Sequence, residues 1–502
     1  MSPSRPRGGA RVSSQPVVGS LPHVHLVDAA AVVPGAEVRG DAELLDAAFD
    51  DREVAPGSLF FCVPGDRADG HAHAGAAVKA GAAALVVDRW LDDLAVPQVR
   101  VPSVREAMGA MSAIVFGTPA AGLTTVGITG TNGKTTITYL LESVFAAAGV
   151  SPGGIGTTGA RVAGRPERLA RTTPEAPDLH RMLATMRDEG VRAVAMEVSS
   201  HALAYGRTDG LVLDVAVFTN LSQDHLDFHG SMPRYFETKA GLFTPAHARR
   251  GVVNADDAWG RRLIEARSIP ISTYALESDA DLRPTGVQVA TTGVVFRVHD
   301  LEVRSSLLGR FNVSNCLAAV AAARALGIDD GAIARGIASV TVPGRVEPID
   351  TGRGFLAVVD YAHTPDSIGG VLRAARPLAS GRLIVVFGCG GDRDRAKRPL
   401  MGAAATSIAD LSVITSDNPR SEDPSDIIGE IEPGAKQGGG AYVVEPDRRA
   451  AIRLALREAR PGDVVVIAGR GHEPVQELRD ETIPFDDRDV VREEIGALED
   501  AS

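Results

Sequence analysis

The sequence predicts an α/β protein of three domains, the middle one built on a doubly wound, mostly parallel sheet. Three observations carry that expectation. The chain has 502 residues, about three times the length of an ordinary domain. Short β-branched runs alternate with Ala-rich helical stretches, the pattern of parallel strands covered by helices. A loop with three glycines, at 127–133, follows one such strand and opens a helix.

Residues 1–20 are rich in Ser, Pro, Arg and Gly, lack the apolar core of a secretion signal and read as a flexible tail. Residues 21–121 should form a smaller N-terminal α/β domain, with strands at 58–63 and 84–88 and helices at 71–84 and 103–116. TPAAG at 118–122 reads as a linker. The central domain, 122–342, opens with a strand at 124–129, the glycine loop and a helix at 135–148. Further strands fall at 193–197, 215–219 and 250–254. The Val- and Thr-rich stretch 274–308 predicts antiparallel strands, and 312–326 a helix. A break at VPGR, 342–345, begins a C-terminal Rossmann-like α/β domain, 343–502. Its apolar strands are expected at 356–360, 383–387, 411–415, 442–444 and 464–468.

Bulk properties narrow the function. The net charge of −12 argues against nucleic acid or an anionic membrane as the main partner. Any anionic small molecule must then be held by loop amides, single arginines or a bound cation. Three scattered cysteines, Cys62, Cys316 and Cys389, indicate neither a disulfide framework nor a zinc site. They read as buried thiols of a reducing cytoplasm. No apolar run approaches the ~18 residues of a membrane span. A cytoplasmic monomer acting on small-molecule substrates is expected.

The glycine loop is the strongest local signal. Gly130, Thr131, Asn132, Gly133, Lys134, Thr135 and Thr136 form GTNGKTT, a short variant of the phosphate loop with Ile128 where the longer form has its first glycine. Glycines let backbone N–H groups converge on a phosphate, and the helix N-terminus adds a favourable dipole. Lys134 can reach terminal phosphates, and the Thr135 hydroxyl can ligate Mg²⁺. The central domain is therefore expected to be a P-loop, nucleotide-binding domain. A second glycine loop, GCGGDRD at 388–394, lacks the spacing of a dinucleotide fingerprint.

Other motifs follow in order: EVSSHAL at 197–203, FTNLSQDHLDFH at 218–229, YFETKAGLF at 235–243, GRFNVSN at 309–315 and PGRVE at 343–347. The third domain adds DYAHTPD at 360–366 and DNPR at 417–420. With the GTNGKTT loop, this series resembles the Mur ligases and the related folylpolyglutamate synthetases, from about residue 45 to 490. DNPR is similar to the signature of the diaminopimelate-adding members.

That resemblance implies an ATP-dependent ligase. It would add meso-diaminopimelate to the D-glutamate of UDP-N-acetylmuramoyl-L-alanyl-D-glutamate through an acyl phosphate, in peptidoglycan synthesis. Bringing two anions together calls for Mg²⁺. The resemblance assigns the cation to Thr135, Glu197, His225 and Lys239, the last as a carbamate (N6-carboxylysine). With Lys134, the last three make the catalytic set. It places ATP against Asn312, Arg345 and Asp360, although Asn312 could instead cap its helix. The UDP-muramyl-dipeptide is expected at Phe49, Asp51, Thr172, Thr173, Ser199, Tyr205 and Arg207. Asp51 departs from the serine usual there, and Tyr205 fills a position commonly taken by a polar side chain. GDRADG at 65–70 also resembles the uridine-binding stretch.

Diaminopimelate differs from lysine by a distal carboxylate, which a guanidinium pairs with bidentately. Arg420 supplies that group. Arg393, Asp417, Asn418, Pro419, Gly469 and Glu473 fall at the other matching positions, and Asp417, Asn418 and Glu473 can hold the distal ammonium. The alternatives are a lysine-adding ligase, which Arg420 opposes, and a non-catalytic nucleotide-sensing relative, which the full cation set opposes. Folylpolyglutamate synthetase is opposed by about a hundred residues preceding the loop.

Overall fold

The computed structural model describes residues 23–65, 69–290 and 292–499. The expected tail and residues 66–68 of the GDRADG stretch lie outside them.

In the first domain, five strands lie in the order Glu37–Arg39, Gln98–Arg100, Ala84–Val87, Ser58–Phe61 and Asp46–Ala48, parallel except for the first. Side chains alternate between its faces. Leu59, Phe61 and Val86 pack toward helix Val104–Val115, while Phe60, Leu85 and Val87 pack toward helix Ala74–Ala80. The helix expected at 71–84 is shorter. It starts with a 3₁₀ turn, Gly70–His73, and stops at Gly81, whose φ of 113° ends it. The expected linker at 118–122 is a 3₁₀ turn, Pro119–Gly122, with Pro119 buried.

The central sheet has eight strands, ordered Arg165–Glu167, Gly159–Val162, Pro152–Gly156, Ala193–Glu197, Thr124–Thr129, Val215–Phe218, Gly251–Asn254 and Ile271–Tyr274. The last six are parallel; the first two form an antiparallel edge. Helices Lys134–Ala147 and Arg310–Ala325 cover one face, and helix Ala176–Asp188 the other. The glycine-loop strand lies between Ala193–Glu197 and Val215–Phe218. The loops that follow these three neighbours therefore leave the same edge of the sheet, where ligands bind in open α/β sheets. The expected antiparallel strands are present as Thr285–Ala290, Gly293–Val298 and Leu301–Ser305.

The third domain has a six-stranded sheet, ordered Glu347–Ile349, Leu356–Asp360, Val464–Ala468, Leu383–Phe387, Leu411–Ile414 and Ala441–Val444, parallel except at its first strand. Helices cover both faces, which explains why runs such as LIVVF and VVVIA are apolar throughout. All three cysteines are buried and free. Among the described residues, no helix is long and apolar enough to cross a membrane.

Candidate active site

A cleft of about 740 Å³ runs from the glycine loop in the central domain to the DNPR loop in the third. At its central-domain end, Gly130 has a φ of 143°, and a Cβ there would collide with the Thr219 hydroxyl and crowd the Asn220 backbone. Glycine lets the loop lie directly on the next strand end. Thr131 N–H donates to the Asn220 carbonyl and Asn132 N–H to the Asn220 Oδ1, both at 2.9 Å. Lys134 folds over the loop, its Nζ 3.0 Å from the Gly130 carbonyl and 2.9 Å from that of Thr131.

Glu197, 1% exposed, ends its strand beside the loop. Its Oε1 accepts from the Thr135 hydroxyl and the Thr157 N–H, both at 2.9 Å, and its Oε2 from the Thr157 hydroxyl at 3.1 Å. Lys239 is equally buried and donates to the Gly130 carbonyl at 3.1 Å and the Thr129 hydroxyl at 3.4 Å. Burial, with Lys134 nearby, pushes its amine well below the usual lysine range. His225 stands at a left-handed backbone position, φ 53°, with its ring 4.8 Å from that of His201. Burial lowers its pKa, so the imidazole is neutral and able to ligate a cation. Among the described residues, no three His, Cys, Asp or Glu side chains converge as a ready-made metal cluster. A cation here could draw on hydroxyl and carboxylate oxygens, donor types that suit Mg²⁺, beside the His225 imidazole.

The third domain closes over the loop through two contacts. Arg345 Nη2 donates to the Thr135 hydroxyl at 3.0 Å, and Asn132 Nδ2 to Asp366 at 3.1 Å. The Arg345 guanidinium also lies 4.3 Å from the centre of the Tyr361 ring. Asp360 is buried, accepts from Val346 N–H and Ala362 N–H at 2.8 Å each, and has its pKa raised by burial. Asn312 does not cap its helix: Gly309 occupies that position, and the Asn312 amide donates to the Leu308 carbonyl at 2.8 Å.

At the far end, Asn418 Nδ2 donates to Glu473 at 2.8 Å and Tyr361 donates to the same carboxylate at 3.2 Å. Burial raises the Glu473 pKa, with Asp417 reinforcing it. Asp417 Oδ2 is buried without a partner, an acceptor waiting for a donor such as an ammonium. Arg420 donates through Nε to Glu477 at 2.6 Å and through Nη1 to the Gly391 carbonyl at 2.8 Å. Gly391 is pressed so close to the Pro419 carbonyl that any Cβ would clash. Gly391 of GCGGDRD thus lets this loop lie directly against the DNPR loop.

The comparisons with known proteins agree with this geometry. Residues 49–114 match the model described as "Mur ligase family, catalytic domain". Residues 128–323 match "Mur ligase middle domain", and 344–471 match "Mur ligase, glutamate ligase domain". The chain is 46% identical over 465 residues to UDP-N-acetylmuramoyl-L-alanyl-D-glutamate–2,6-diaminopimelate ligase of Geobacillus thermodenitrificans, covering 90% of this chain and 95% of the relative. The chain belongs to the Mur ligase family.

The Streptomyces avermitilis protein of the same name is also 46% identical, over 94% of this chain and 96% of its own length. A solved structure of a ligase of that name superposes with a TM-score of 0.66 at 35% identity, covering 91% of this chain and 96% of the other.

In this Mur ligase, most of the expected residues meet in one cleft. Thr131 to Thr136, Thr172, Glu197, Ser199, His225, Asn312, Arg345, Asp360, Arg393, Asp417, Asn418, Arg420, Gly469 and Glu473 all line it. Gly130, Pro419 and Lys239 are not part of the lining, though the Gly130 carbonyl accepts from both Lys134 and Lys239 and Pro419 abuts Gly391. Thr173 is buried, its hydroxyl donating to the Glu197 carbonyl at 2.9 Å. Arg207 is tied to Glu175 at 3.0 Å, and the Arg105 and Arg207 guanidiniums lie 5.6 and 5.5 Å from the centre of the Tyr205 ring. Phe49 packs against the first domain's core and Asp51 pairs with His73 at 3.1 Å, so neither lines the cleft. Sequence reasoning missed Thr157, Asn220, Tyr361, His363 and Lys397. Asn220 lay inside a motif already singled out; Thr157 follows a Gly-rich strand with no local signal.

Proposed function

We propose that this chain is a cytoplasmic ATP-dependent ligase that joins meso-diaminopimelate to the D-glutamate of UDP-N-acetylmuramoyl-L-alanyl-D-glutamate, releasing ADP and phosphate, in peptidoglycan synthesis. The observation that carries this reading is the single cleft, with a phosphate loop at one end and a guanidinium–carboxylate cluster at the other.

The loop amides and Lys134 hold the ATP phosphates, while Asn312 lies on the adenine side and Arg345 and Asp360 serve the phosphate and ribose. The acceptor lies along Thr172, Thr173, Ser199 and Arg207, with its nucleotide toward Phe49 and Asp51. Its carboxylate oxygen attacks the γ-phosphorus, the bond to the β-phosphate oxygen breaks, and ADP leaves. Arg345, reaching the Thr135 hydroxyl from the third domain, brings a positive charge to this reaction. The amine of diaminopimelate then attacks the acyl phosphate carbonyl. Phosphate departs with the former carboxylate oxygen, and the amine's proton passes to solvent or a nearby base.

Thr135, Glu197, His225 and carbamylated Lys239 would hold Mg²⁺, which screens the charge between the two anions. The residues fit that role, because the Glu197 carboxylate meets the Thr135 hydroxyl and the depressed Lys239 pKa supplies the neutral amine that reacts with carbon dioxide. Arg420 and Arg393 receive the distal carboxylate of diaminopimelate, and Asp417, Asn418 and Glu473 its ammonium.

Phosphate release with Mg-ATP, the UDP-muramyl-dipeptide and meso-diaminopimelate, LL-diaminopimelate, L-lysine or no amino acid tests the reading. Release is expected with meso-diaminopimelate and poor with lysine. Equal or better release with lysine would overturn the assignment of Arg420, and no release with any amine would overturn the ligase itself.

A further inference from the structure

The DNPR loop is held by a residue that belongs to none of the motifs above. Glu477, on the short strand Val475–Glu477, makes three bonds to it. Its N–H donates to Asn418 Oδ1 at 2.9 Å, its carbonyl accepts from Arg420 N–H at 3.1 Å, and its carboxylate accepts from Arg420 Nε at 2.6 Å. Arg420 needs such support. Its backbone sits at φ 52°, a conformation L-residues rarely adopt, and a free arginine side chain has many rotamers to lose.

We infer that Glu477 is a specificity-determining positioning residue, whose carboxylate aims the Arg420 guanidinium at the distal carboxylate of the incoming diamino acid. This inference rests on the diaminopimelate reading of the cleft. The geometry supplies the reason. A guanidinium has five N–H donors in a planar fork. Glu477 takes the Nε–H and the Gly391 carbonyl one Nη1–H, while Nη2, at the end of the fork, has no hydrogen-bond partner among the described residues. That end is the edge that pairs with a carboxylate through two parallel bonds.

A carboxylate already on Arg420 also competes with the substrate's. The Glu477 side chain is 49% exposed, however, so water and salt screen its charge. Fixing the rotamer and the strained backbone depends on geometry and is not screened in this way. Pre-organisation therefore outweighs competition, and diaminopimelate binds better with Glu477 than without it.

Glu477→Ala isolates the effect, because both backbone bonds to the loop remain. Steady-state kinetics on the full chain should show the KM for meso-diaminopimelate rising about three- to fivefold, the size of a half-exposed ion pair. The kcat and the KM for ATP should stay within about twofold, and selectivity over L-lysine should fall by the same factor as diaminopimelate binding. Glu477→Gln, which keeps an acceptor for Nε, should recover most of the loss. A lower or unchanged KM for diaminopimelate in Glu477→Ala would overturn the inference, as would equal changes in kcat and the ATP KM. If the parent enzyme itself shows no preference for diaminopimelate over lysine, the underlying reading of the cleft fails instead.

Discussion

Lys239 offers a sharp test of the catalytic centre. Its Nζ and that of Lys134 both donate to the Gly130 carbonyl, at 3.1 and 3.0 Å, which keeps the two nitrogens within about 6 Å of each other. Two ammonium groups at that separation repel by roughly 3 kcal/mol at an effective dielectric constant of about 20. Neutralising Lys239 removes the repulsion, and carbamylation turns it into an attraction of similar size. Lys239→Ala should therefore lower kcat/KM on the order of 100-fold, about 3 kcal/mol of transition-state support. Parent enzyme depleted of carbon dioxide should lose activity and regain it on adding bicarbonate, whereas Lys239→Ala should ignore bicarbonate. With ¹³C-bicarbonate, the parent should show a carbamate carbon resonance that the variant lacks. More than a tenth of parental activity in Lys239→Ala, or indifference of the parent to bicarbonate, would refute the reasoning.

Gly130→Ala would drive a methyl group into Thr219, and nucleotide binding measured by calorimetry should fall below detection while the second and third domains' other contacts persist. ATP binding at parental strength would show that the loop can move aside. Arg420→Ala removes a pair worth about 1.5–3 kcal/mol, so kcat/KM for diaminopimelate should drop roughly 10- to 150-fold while the slow rate with lysine holds. A loss shared equally by both amino acids would argue against carboxylate recognition. Burial holds the pKa of His180, His363 and His472 at about 4, against an ordinary 6.5. Below pH 6.5 the unfolded chain takes up protons that these folded histidines refuse until about pH 4, so stability falls as pH drops through that window. Thermal unfolding between pH 7.5 and 5 should show a falling Tm, shallower in His180→Gln; a flat profile would contradict the burial argument.

Much of the architecture was legible because its signals are local. The parallel strands of the third domain are covered on both faces and so read as unbroken apolar runs, and the glycine loop announces itself by composition. The Pro152–Gly156 strand was not legible: PGGIG has little β propensity, and only its place in the sheet beside Ala193–Glu197 makes it a strand. The helix at 71–84 was overestimated because Gly81 fits an Ala-rich pattern until the chain has to turn. Within the cleft, the glycine loop, Glu197, His225 and Asn418 were legible from their motifs, whereas Asn220, Tyr361 and His363 line the cleft from inside motifs without having been singled out. Thr157, which brackets Glu197, and Glu477, which steadies Arg420, act through contacts across 40 and 57 residues of sequence, and no local pattern marks them.

Amide formation through an acyl phosphate made at the acceptor's carboxylate transfers one carboxylate oxygen to the phosphate released. It is tested most directly by giving the enzyme UDP-N-acetylmuramoyl-L-alanyl-D-glutamate labelled with ¹⁸O in its glutamate carboxylates, with Mg-ATP and meso-diaminopimelate. Mass spectrometry should find the tripeptide product and one ¹⁸O atom in each phosphate released. Unlabelled phosphate, or phosphate released without any amide product, would contradict it.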